Sequence, residues 1–327
     1  MRAFQSAARW GLIASALVLA HGAQAASQIV AFGDSLVDNG NIPDYTGFSF
    51  PTTPYYQNRF SNGPVAVEYM AQQLGLTLDD RAVGGAYSGT GNRLYDSNTT
   101  RLAAIANTGT AQQISSYISE QGGTVDSQAL YYIWAGGNDF FTAPTGATAT
   151  KAIANLVADV SALYQAGARN FFIPNLPDLA TTAVSLQQNA AYQAGARQLT
   201  QAFNTNLANN LNSLENRLTG SDIQVFDAYS FLTTLRNSYE AQGFNVTSPC
   251  LVTTGSPSLC SNPSQYYLWD NVHPTAGVHQ AIGTAMATAA IPVPEPEQWA
   301  LTFSGLAVVG LVRRRQVRQQ RHLRQVA

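Results

Sequence analysis

Two segments far apart in the chain carry residues that could perform covalent chemistry together. Ser35 lies in the stretch IVAFGDSLVDNGN, just after an apolar run, and His273 follows Asp270 by three residues in LWDNVHPTAGVHQ. A serine hydroxyl becomes a nucleophile when a histidine takes its proton and a carboxylate orients the imidazole. The pattern predicts acyl transfer in which Ser35 attacks, His273 is the general base and Asp270 orients that base.

The distribution of histidines favours His273 as the base. The chain has four histidines, of which His21 and His322 lie in terminal segments that differ in composition from the rest. His273 precedes Pro274, which disfavours helical backbone at His273 and is itself suited to a first helical turn. The imidazole is therefore expected at a junction between a loop and a helix. His279 is expected inside that helix, as a surface or satisfied core histidine.

Acyl transfer also requires hydrogen-bond donors for the oxyanion that develops on the substrate. Two short motifs offer them: AVGGA, in which Gly84 or Gly85 offers a backbone N–H, and AGGNDF, in which Asn138 has a side-chain amide. Each motif alone is a common loop feature. Their position in order between Ser35 and His273 makes them candidates for the oxyanion hole.

The segments that must position these residues alternate between strand-like and helix-like patterns. Strands are predicted over residues 28–32, 81–83, 129–135, 170–174 and 223–226, and helices over 63–74, 110–120, 148–166, 185–218 with a break near 194–195, and 274–290. This alternation indicates parallel crossovers and one α/β domain with helices on both faces of the sheet. Ligands of such domains bind beyond the carboxyl ends of the strands, where Ser35 follows the first strand.

Composition and charge exclude some classes of partner. The sequence has 327 residues, 45% of them hydrophobic, which is ample for a buried core. Nine of its basic and 17 of its acidic residues lie in positions 26–292, so this part carries a net charge of about −8. It lacks the Lys/Arg clusters that nucleic acid requires. It also lacks a metal-ligand cluster, a phosphate-binding loop and a dinucleotide fingerprint, and we expect no metal and no cofactor.

The N-terminal segment has the pattern of a secretory signal peptide. Arg2 and Arg9 precede the apolar run 10–20, and Ala23-Gln24-Ala25 matches the small-residue pattern that signal peptidase cleaves. The apolar run is too short to span a bilayer comfortably, which argues against an uncleaved anchor. We predict a signal peptide over residues 1–25 and therefore an exported protein.

The C-terminal segment has three parts in a fixed order. The motif Pro294-Glu295-Pro296 is followed by the apolar stretch 299–312 and then by six arginines between positions 313 and 324. This order indicates membrane engagement and resembles the PEP-CTERM sorting signal of Gram-negative bacteria. The resemblance implies processing by an exosortase and a destination in the periplasm, cell envelope or extracellular matrix. The predicted division is thus a signal peptide, a hydrolase domain over 26–292 and a sorting tail over 293–327.

The two cysteines lie close together in a loop-like segment. Nine residues separate Cys250 from Cys260, and the surrounding sequence is rich in Ser, Thr, Pro and Gly. In an exported protein such a pair indicates a disulfide. The bridge would hold a segment that has little apolar content of its own.

Four blocks of the sequence together resemble the GDSL family of lipases and esterases, part of the SGNH hydrolase superfamily. The blocks are FGDSLVDNGN, AVGGA, GGNDF and DNVHP, and the likeness extends over most of the chain. It implies a three-layer α/β/α sandwich with a parallel central sheet, as in flavodoxin-like folds, with serine esterase chemistry and no cofactor. By position, Ser35 resembles the nucleophile, and Asp270 and His273 resemble the rest of the triad. The oxyanion hole would consist of the Ser35 N–H, Gly85 and Asn138.

The sequence leaves three functions open. The first is an exported serine esterase or lipase that hydrolyses carboxylic esters through an acyl-enzyme, with short acyl esters or lipids as substrates. The second, suggested by the tail, is removal of O-acyl groups such as acetyl from an exopolysaccharide. The third is a surface-binding module on an inactive hydrolase scaffold, which is disfavoured because every catalytic position is filled. Paired tyrosines, among them Tyr55 and Tyr56, could line an acyl pocket, but such pairs more often pack in the core or at a rim.

Overall fold

The computed structural model describes residues 26–290, which contain a five-stranded parallel sheet. Its strands are β1 (Gln28–Gly33), β2 (Thr77–Asp80), β3 (Leu130–Trp134), β4 (Asn170–Pro174) and β5 (Asp222–Phe226). In space they lie in the order β2-β1-β3-β4-β5, and every neighbouring pair is parallel. The predicted signal peptide and sorting tail lie outside the described residues.

The residue types of the strands match their places in the sheet. The central strands β1, β3 and β4 read QIVAFG, LYYIW and NFFIP and are almost entirely buried, as expected where helices cover both faces of a parallel sheet. The edge strands β2 and β5 read TLDD and DIQVF and carry charged residues. Charge at a sheet edge discourages pairing with another chain.

Helices cover both faces of this sheet. They are α1 (Ile42–Thr46), α2 (Ala66–Leu74), α3 (Arg93–Ser97), α4 (Thr110–Glu120), α5 (Gly137–Thr142), α6 (Gly146–Gln165), α7 (Ala183–Leu186), α8 (Ala190–Glu215), α9 (Ala228–Ala241) and α10 (Ala276–Ala290). One core cluster packs α4, α6 and α8 on one face, and a second packs α2, α9 and α10 on the other. Alternate residues of β1 enter the two clusters, as the period of a strand requires. This confirms the predicted three-layer α/β/α sandwich.

Four short strands lie between α9 and α10. They are β6 (Asn245–Pro249), β7 (Leu251–Val252), β8 (Ser258–Leu259) and β9 (Tyr266–Leu268). β6 pairs with β9 in parallel, and β7 and β8 form a small antiparallel hairpin. This subsidiary structure leads the chain directly to Asp270.

The second strand differs from the prediction of residues 81–83. β2 occupies Thr77–Asp80, where Asp79 and Asp80 conceal the strand pattern because the strand lies at the sheet edge. The chain continues beside β1 past its end, since the Arg81 N–H donates to the Ala31 carbonyl at 2.8 Å and the Val83 N–H to the Gly33 carbonyl at 3.1 Å.

Some predicted helix boundaries were wrong, and one long helix was missed. The break in the predicted helix 185–218 lies at residues 187–189, where the Asn189 side chain caps α8 by accepting the Tyr192 N–H, and Gly195 lies inside the helix. α10 begins at Ala276 and not at Pro274, which pairs with Leu268 in an isolated bridge. α9 was not predicted, because its sequence AYSFLTTLRNSYEA is rich in β-branched and aromatic residues.

None of the helices within residues 26–290 has both the length and the apolarity needed to cross a membrane.

Candidate active site

Ser35 lies in a tight turn directly after β1. The Asp34 carboxylate accepts the Leu36 N–H at 3.0 Å, and the Asp34 carbonyl accepts the N–H groups of Val37 and Asp38 at 3.0 and 2.9 Å. These bonds wind the chain into one helical turn. Within residues 26–290 the Ser35 N–H has no acceptor, so it is available to a ligand.

His273 connects Ser35 with Asp270 through both nitrogens of its ring. Nε2 lies 2.7 Å from Ser35 Oγ, and Nδ1 lies 2.8 and 2.9 Å from the two carboxylate oxygens of Asp270. The structure therefore brings together the three side chains that sequence reasoning selected for acyl transfer. The ring orientation needed to deprotonate Ser35 is already present, since Nδ1–H donated to Asp270 leaves Nε2 as an acceptor.

The Asp270 carboxylate is surrounded by donors. Oδ1 accepts the backbone N–H groups of Val272 at 2.9 Å and His273 at 2.8 Å, and Oδ2 accepts the Tyr55 hydroxyl at 2.8 Å. Burial opposes ionisation of Asp270, but the charge of His273 and these backbone donors outweigh it and lower the pKa below its ordinary value. Asp270 is therefore an anion at neutral pH.

Tyr55 and Phe60 complete the surroundings of this pair. Tyr55, 215 residues away from Asp270 in sequence, reaches it from the loop between β1 and α2. The Phe60 ring lies 5.1 Å from the His273 ring between centroids. The sequence left Tyr55 in an acyl pocket, in the core or at a rim, and the bond to Asp270 was missed because nothing in the sequence links two positions so far apart.

The structure distinguishes the two glycines of AVGGA. The Gly84 N–H donates to Asp38 Oδ2 at 2.7 Å, whereas the Gly85 N–H has no acceptor within residues 26–290. Gly85 has φ +82°, and a Cβ there would lie 2.5 Å from Asn92 Oδ1 and 2.6 Å from Leu94 Cγ. Only glycine fits this backbone, and Gly85 is the glycine with a free N–H.

Asn138 stands in the first turn of α5, directly after β3. Its Nδ2 donates to the Ala86 carbonyl at 3.1 Å and to Asp34 Oδ2 at 3.3 Å. Burial raises the pKa of Asp34 to about 6. The two contacts hold the amide beside Ser35 and Gly85, and all three residues line one cavity.

This cavity has a volume of about 300 Å³, which is within the usual range of ligand pockets. Ser35, Gly85, Asn138 and His273 line one part of it. Apolar side chains form much of the remaining wall, among them Trp134, Leu176, Leu232, Tyr267 and Ile282. The arrangement presents a nucleophile, a base and unpaired N–H donors to a largely apolar space.

His279 lies in the core and not on the surface. It is fully buried in α10, and Nδ1 accepts the Ala66 N–H at 3.1 Å at the start of α2. Burial, with the charge of His273, lowers the pKa of His279 to about 3, so the ring is neutral and its proton is on Nε2. Nε2 has no partner within residues 26–290. His279 is thus a core histidine, one of the two expected possibilities, but only one of its two ring nitrogens has a hydrogen-bond partner.

Cys250 and Cys260 are bonded to each other, with their Cα atoms 4.9 Å apart. The bridge closes the hairpin of β7 and β8 and belongs to a small cluster with Leu251 and Trp269. The Cys250 N–H donates to the Leu268 carbonyl at 3.0 Å, and the Leu251 N–H donates to the Trp269 carbonyl at 2.6 Å. The disulfide hairpin therefore holds the two residues that immediately precede Asp270.

Within the described part of the chain, no group of three or more His, Cys, Asp or Glu side chains is arranged to hold a metal ion.

Two known proteins are similar in sequence to most of this chain. A thermolabile hemolysin of Vibrio parahaemolyticus is 29% identical over 278 residues, which cover 80% of this chain and 63% of the hemolysin. A phosphatidylcholine-sterol acyltransferase of Aeromonas hydrophila is 27% identical over 326 residues, covering 85% of this chain and 94% of that protein. Thus the chain spans less than two thirds of the hemolysin but nearly all of the acyltransferase.

Among solved structures, a member of the lipolytic G-D-S-L family from Veillonella parvula is similar with a TM-score of 0.44 at 14% identity, covering 81% of this chain and 97% of that one. The sequence model of the GDSL-like Lipase/Acylhydrolase family matches residues 29–286. That match includes Ser35, Gly85, Asn138, Asp270 and His273 and most of the described sheet. The chain therefore belongs to the GDSL-like lipase/acylhydrolase family, whose members are hydrolases that act on ester bonds.

Proposed function

We propose that this protein is a serine esterase in which Ser35, His273 and Asp270 form the catalytic triad. The observation that carries the proposal is the unbroken set of contacts from Ser35 Oγ to His273 Nε2 at 2.7 Å and from His273 Nδ1 to Asp270 at 2.8 Å. Ser35 and Gly85 line the same cavity, and their backbone N–H groups have no acceptor among residues 26–290, which supports a role as oxyanion donors.

In the first half of the reaction, Ser35 Oγ attacks the ester carbonyl carbon while its proton moves to His273 Nε2. The carbonyl π electrons move to the carbonyl oxygen, which becomes an oxyanion and accepts hydrogen bonds from the donors of the oxyanion hole. When the carbonyl reforms, the bond to the alcohol oxygen breaks and His273 returns the proton to that leaving oxygen. Asp270 stabilises the imidazolium throughout, and an acyl-serine ester remains.

In the second half, water attacks the acyl carbon and gives a proton to His273 Nε2. Collapse of the second tetrahedral intermediate breaks the bond to Ser35 Oγ, and His273 returns the proton to that oxygen. The products are a carboxylic acid and the free enzyme. The net reaction consumes one ester and one water and requires no cofactor.

Asn138 is the third proposed donor of the oxyanion hole. Both hydrogens of its amide are engaged in the free protein, and the contact with Asp34 Oδ2 is the longer one at 3.3 Å. A developing oxyanion would compete for that hydrogen, because the contact with Asp34 is long and a charge-assisted hydrogen bond at shorter distance is stronger. Asp34 would then retain the N–H of Leu36.

Hydrolysis of nitrophenyl acetate and nitrophenyl butyrate tests this function. The purified protein is expected to turn over both esters, and Ser35→Ala is expected to turn them over at least about 10³-fold more slowly. A wild-type protein that folds but hydrolyses neither ester would favour a binding module on an inactive hydrolase scaffold.

Two substrate classes are supported by different observations. The apolar wall of the cavity favours acyl esters and lipids, and so does the name of the Aeromonas hydrophila relative, a phosphatidylcholine-sterol acyltransferase aligned over nearly its whole length. The tail that resembles a PEP-CTERM signal favours an O-acylated exopolysaccharide outside the cell. A series of nitrophenyl esters of increasing chain length, assayed beside an acetylated polysaccharide, separates the two classes.

We further propose that residues 1–25 direct export and that residues 293–327 address the protein to the cell envelope without taking part in chemistry. The disulfide between Cys250 and Cys260 supports export, because such bonds persist in oxidising compartments. Cells expressing the full chain and a chain truncated after Pro292 can be fractionated and assayed for esterase activity. We expect equal specific activity and a different distribution, and an identical distribution would refute the role of the tail.

A further inference from the structure

One face of α9 lines the cavity that contains Ser35. Its members are Tyr229, Leu232, Thr233, Arg236 and Asn237, which lie at the three- and four-residue spacing that places side chains on one face of a helix. Arg236 stands about 10 Å along the helix axis from Tyr229, at a rise of about 1.5 Å per residue. It therefore lies farther along α9 from the end of β5 than Tyr229 does.

Three arginines line this cavity, and they differ in what they contact. Arg197 Nε donates to Asp178 at 2.8 Å, so its charge is neutralised within the wall. The Arg93 guanidinium lies 5.6 Å from the centre of the Phe141 ring. The Arg236 side chain makes no ion pair and no hydrogen bond with any residue of the described range 26–290, and its Nε is buried without a partner.

The two carboxylates that line the cavity, Asp34 and Asp178, do not pair with Arg236. Asp34 accepts hydrogen bonds from Leu36 and Asn138, and Asp178 pairs with Arg197. A guanidinium is charged at every accessible pH and has five N–H donors, and leaving a buried donor unpaired is costly. The wall thus contains a cation that no carboxylate of residues 26–290 neutralises, with a buried donor, in a domain whose net charge is negative.

We propose that Arg236 is an anion-binding subsite that recognises a negatively charged group, phosphate or carboxylate, carried by the ester substrate. The planar guanidinium matches both groups in a bidentate geometry, and Asn237 adds amide donors on the same helix face. Trp134, Tyr267 and Ile282 form an apolar wall of the same cavity. The substrate class is therefore an acyl ester that carries an anionic group separate from the ester bond. This inference rests on the proposed esterase function.

The test compares Arg236→Gln with wild type and with Arg217→Gln, a control at an exposed arginine outside the cavity. One pair of substrates is dihexanoylglycerol and its phosphate ester, which represents a lipid phosphate. The other pair is an O-acetylated neutral glucan and O-acetylated polygalacturonate, which represents a sugar carboxylate. In each pair the measured quantity is the ratio of kcat/KM for the anionic substrate to that for the neutral one.

Arg236→Gln is expected to lower this ratio about 10- to 100-fold in one pair, mainly through KM, as loss of a charge-assisted contact predicts. The affected pair identifies whether phosphate or carboxylate is recognised. Arg217→Gln is expected to leave both ratios as in wild type. Ratios in Arg236→Gln that equal those of wild type in both pairs would overturn the proposal.

A second measurement does not depend on whether the variant folds. Inorganic phosphate or glutarate, at constant ionic strength, is expected to inhibit wild-type hydrolysis of nitrophenyl butyrate, and inhibition by neither anion at tens of millimolar would overturn the subsite. Wild-type turnover of the neutral esters tests the esterase function alone. A protein that hydrolyses neutral esters but shows no anion dependence would therefore reject only the subsite.

Discussion

The candidate active site joins two regions that hold their groups in different ways. The sheet side consists of Ser35, Gly85 and Asn138, each of which follows a strand of the main sheet or its continuation. The loop side consists of Asp270 and His273, which lie between the short strand β9 and α10. The sheet side is built on pairings within a large core, whereas the loop side is built on a few local contacts.

The links that hold each side show the difference. On the sheet side, Asp38 binds Gly84 and Asn138 binds Asp34, so neighbouring strand ends are tied to one another directly. On the loop side, the disulfide hairpin and the pairing of β6 with β9 hold the chain that leads to Asp270. The order of the motifs in the sequence therefore does not show which catalytic groups are rigidly held. Variants that remove one of these contacts at a time can show it.

We expect the largest effect from removing the contact between Ser35 and His273, which joins the two sides. If Ser35 and His273 act as one unit, Ser35→Ala and His273→Ala should each lower kcat for nitrophenyl butyrate at least about 10³-fold, and the double variant should be little worse than the poorer single one. Steady-state kinetics on the three variants measure this. Multiplied losses in the double variant would show that the two residues act independently.

His279→Ala is the matched control for that experiment. Because His279 binds the Ala66 N–H in the core between α2 and α10, its loss should lower the free energy of unfolding while the kcat of the folded protein is retained. A folded His279→Ala variant without activity, together with an active His273→Ala variant, would reverse the assignment of the base.

Removing the disulfide weakens only the contacts that hold Asp270 and His273, the loop side, and leaves those of the sheet side in place. The double variant Cys250→Ala/Cys260→Ala should lose about 2–3 kcal/mol of unfolding free energy in urea, from the entropy of a short closed loop. Its kcat should fall more than its KM changes, because the hairpin holds the residues that precede Asp270. Wild type treated with a reductant serves as the control and should show the same loss. An unchanged kcat would mean that the sheet side and β9 suffice to place Asp270.

The sequence predicted the reacting groups of both sides, but not all of the features that position them. The strand ends at Ser35 and Asn138 follow apolar runs that are easily recognised, and the motif order was enough to select His273. The choice between Gly84 and Gly85 required the structure, because it depends on the hydrogen bond that the Gly84 N–H donates to the Asp38 carboxylate. Such long-range pairings leave no local pattern in the sequence.

Two further features were missed for physical reasons. β2 ends in two aspartates and pairs only on one side, so it lacks the apolar run of a central strand. α9 has weak helix propensity and is stabilised by packing, with Leu232 in the core and Phe231 beside it. Because α9 was not predicted, neither was the position of Arg236 on its cavity face.

Asp159 provides a test confined to the sheet side. Thr110 Oγ1 lies 2.6 Å from Asp159 Oδ2 and 2.8 Å from the Ser88 carbonyl, in the loop that follows Gly85. Burial raises the pKa of Asp159 to about 7, although the Thr110 hydroxyl acts against this. The native state therefore holds a proton that the unfolded state has lost, and the associated stability falls as the pH rises from about 4 to about 7.

Asp159→Asn should remove this pH dependence, because an amide is neutral and can donate to Thr110 as the protonated acid does. The unfolding free energy of the variant relative to wild type should rise by about 2 kcal/mol between pH 5 and pH 8. Asp44→Asn, at an exposed carboxylate, is the control and should show no such trend. If the difference in unfolding free energy between Asp159→Asn and wild type does not change with pH, Asp159 does not titrate in this range.

Tyr55 links the loop between β1 and α2 to Asp270 and should have the smallest effect on catalysis. Burial and the Asp270 charge raise the pKa of Tyr55, so the phenol stays protonated and donates to the carboxylate. Tyr55→Phe removes one of several donors to Asp270, and kcat should fall about 2- to 10-fold, as expected for the loss of about 1 kcal/mol.

The split between kcat and KM distinguishes positioning of Asp270 by Tyr55 from a role in packing. If the hydroxyl positions Asp270, Tyr55→Phe should lower kcat while KM for nitrophenyl butyrate and Tm stay near wild type, because the ring still packs against Trp269 at 6.1 Å between centroids. Tyr56→Phe is the control, since Tyr56 is 40% exposed. A Tyr55→Phe variant with wild-type kcat would show that the backbone donors of Val272 and His273 hold the carboxylate without help from the Tyr55 hydroxyl.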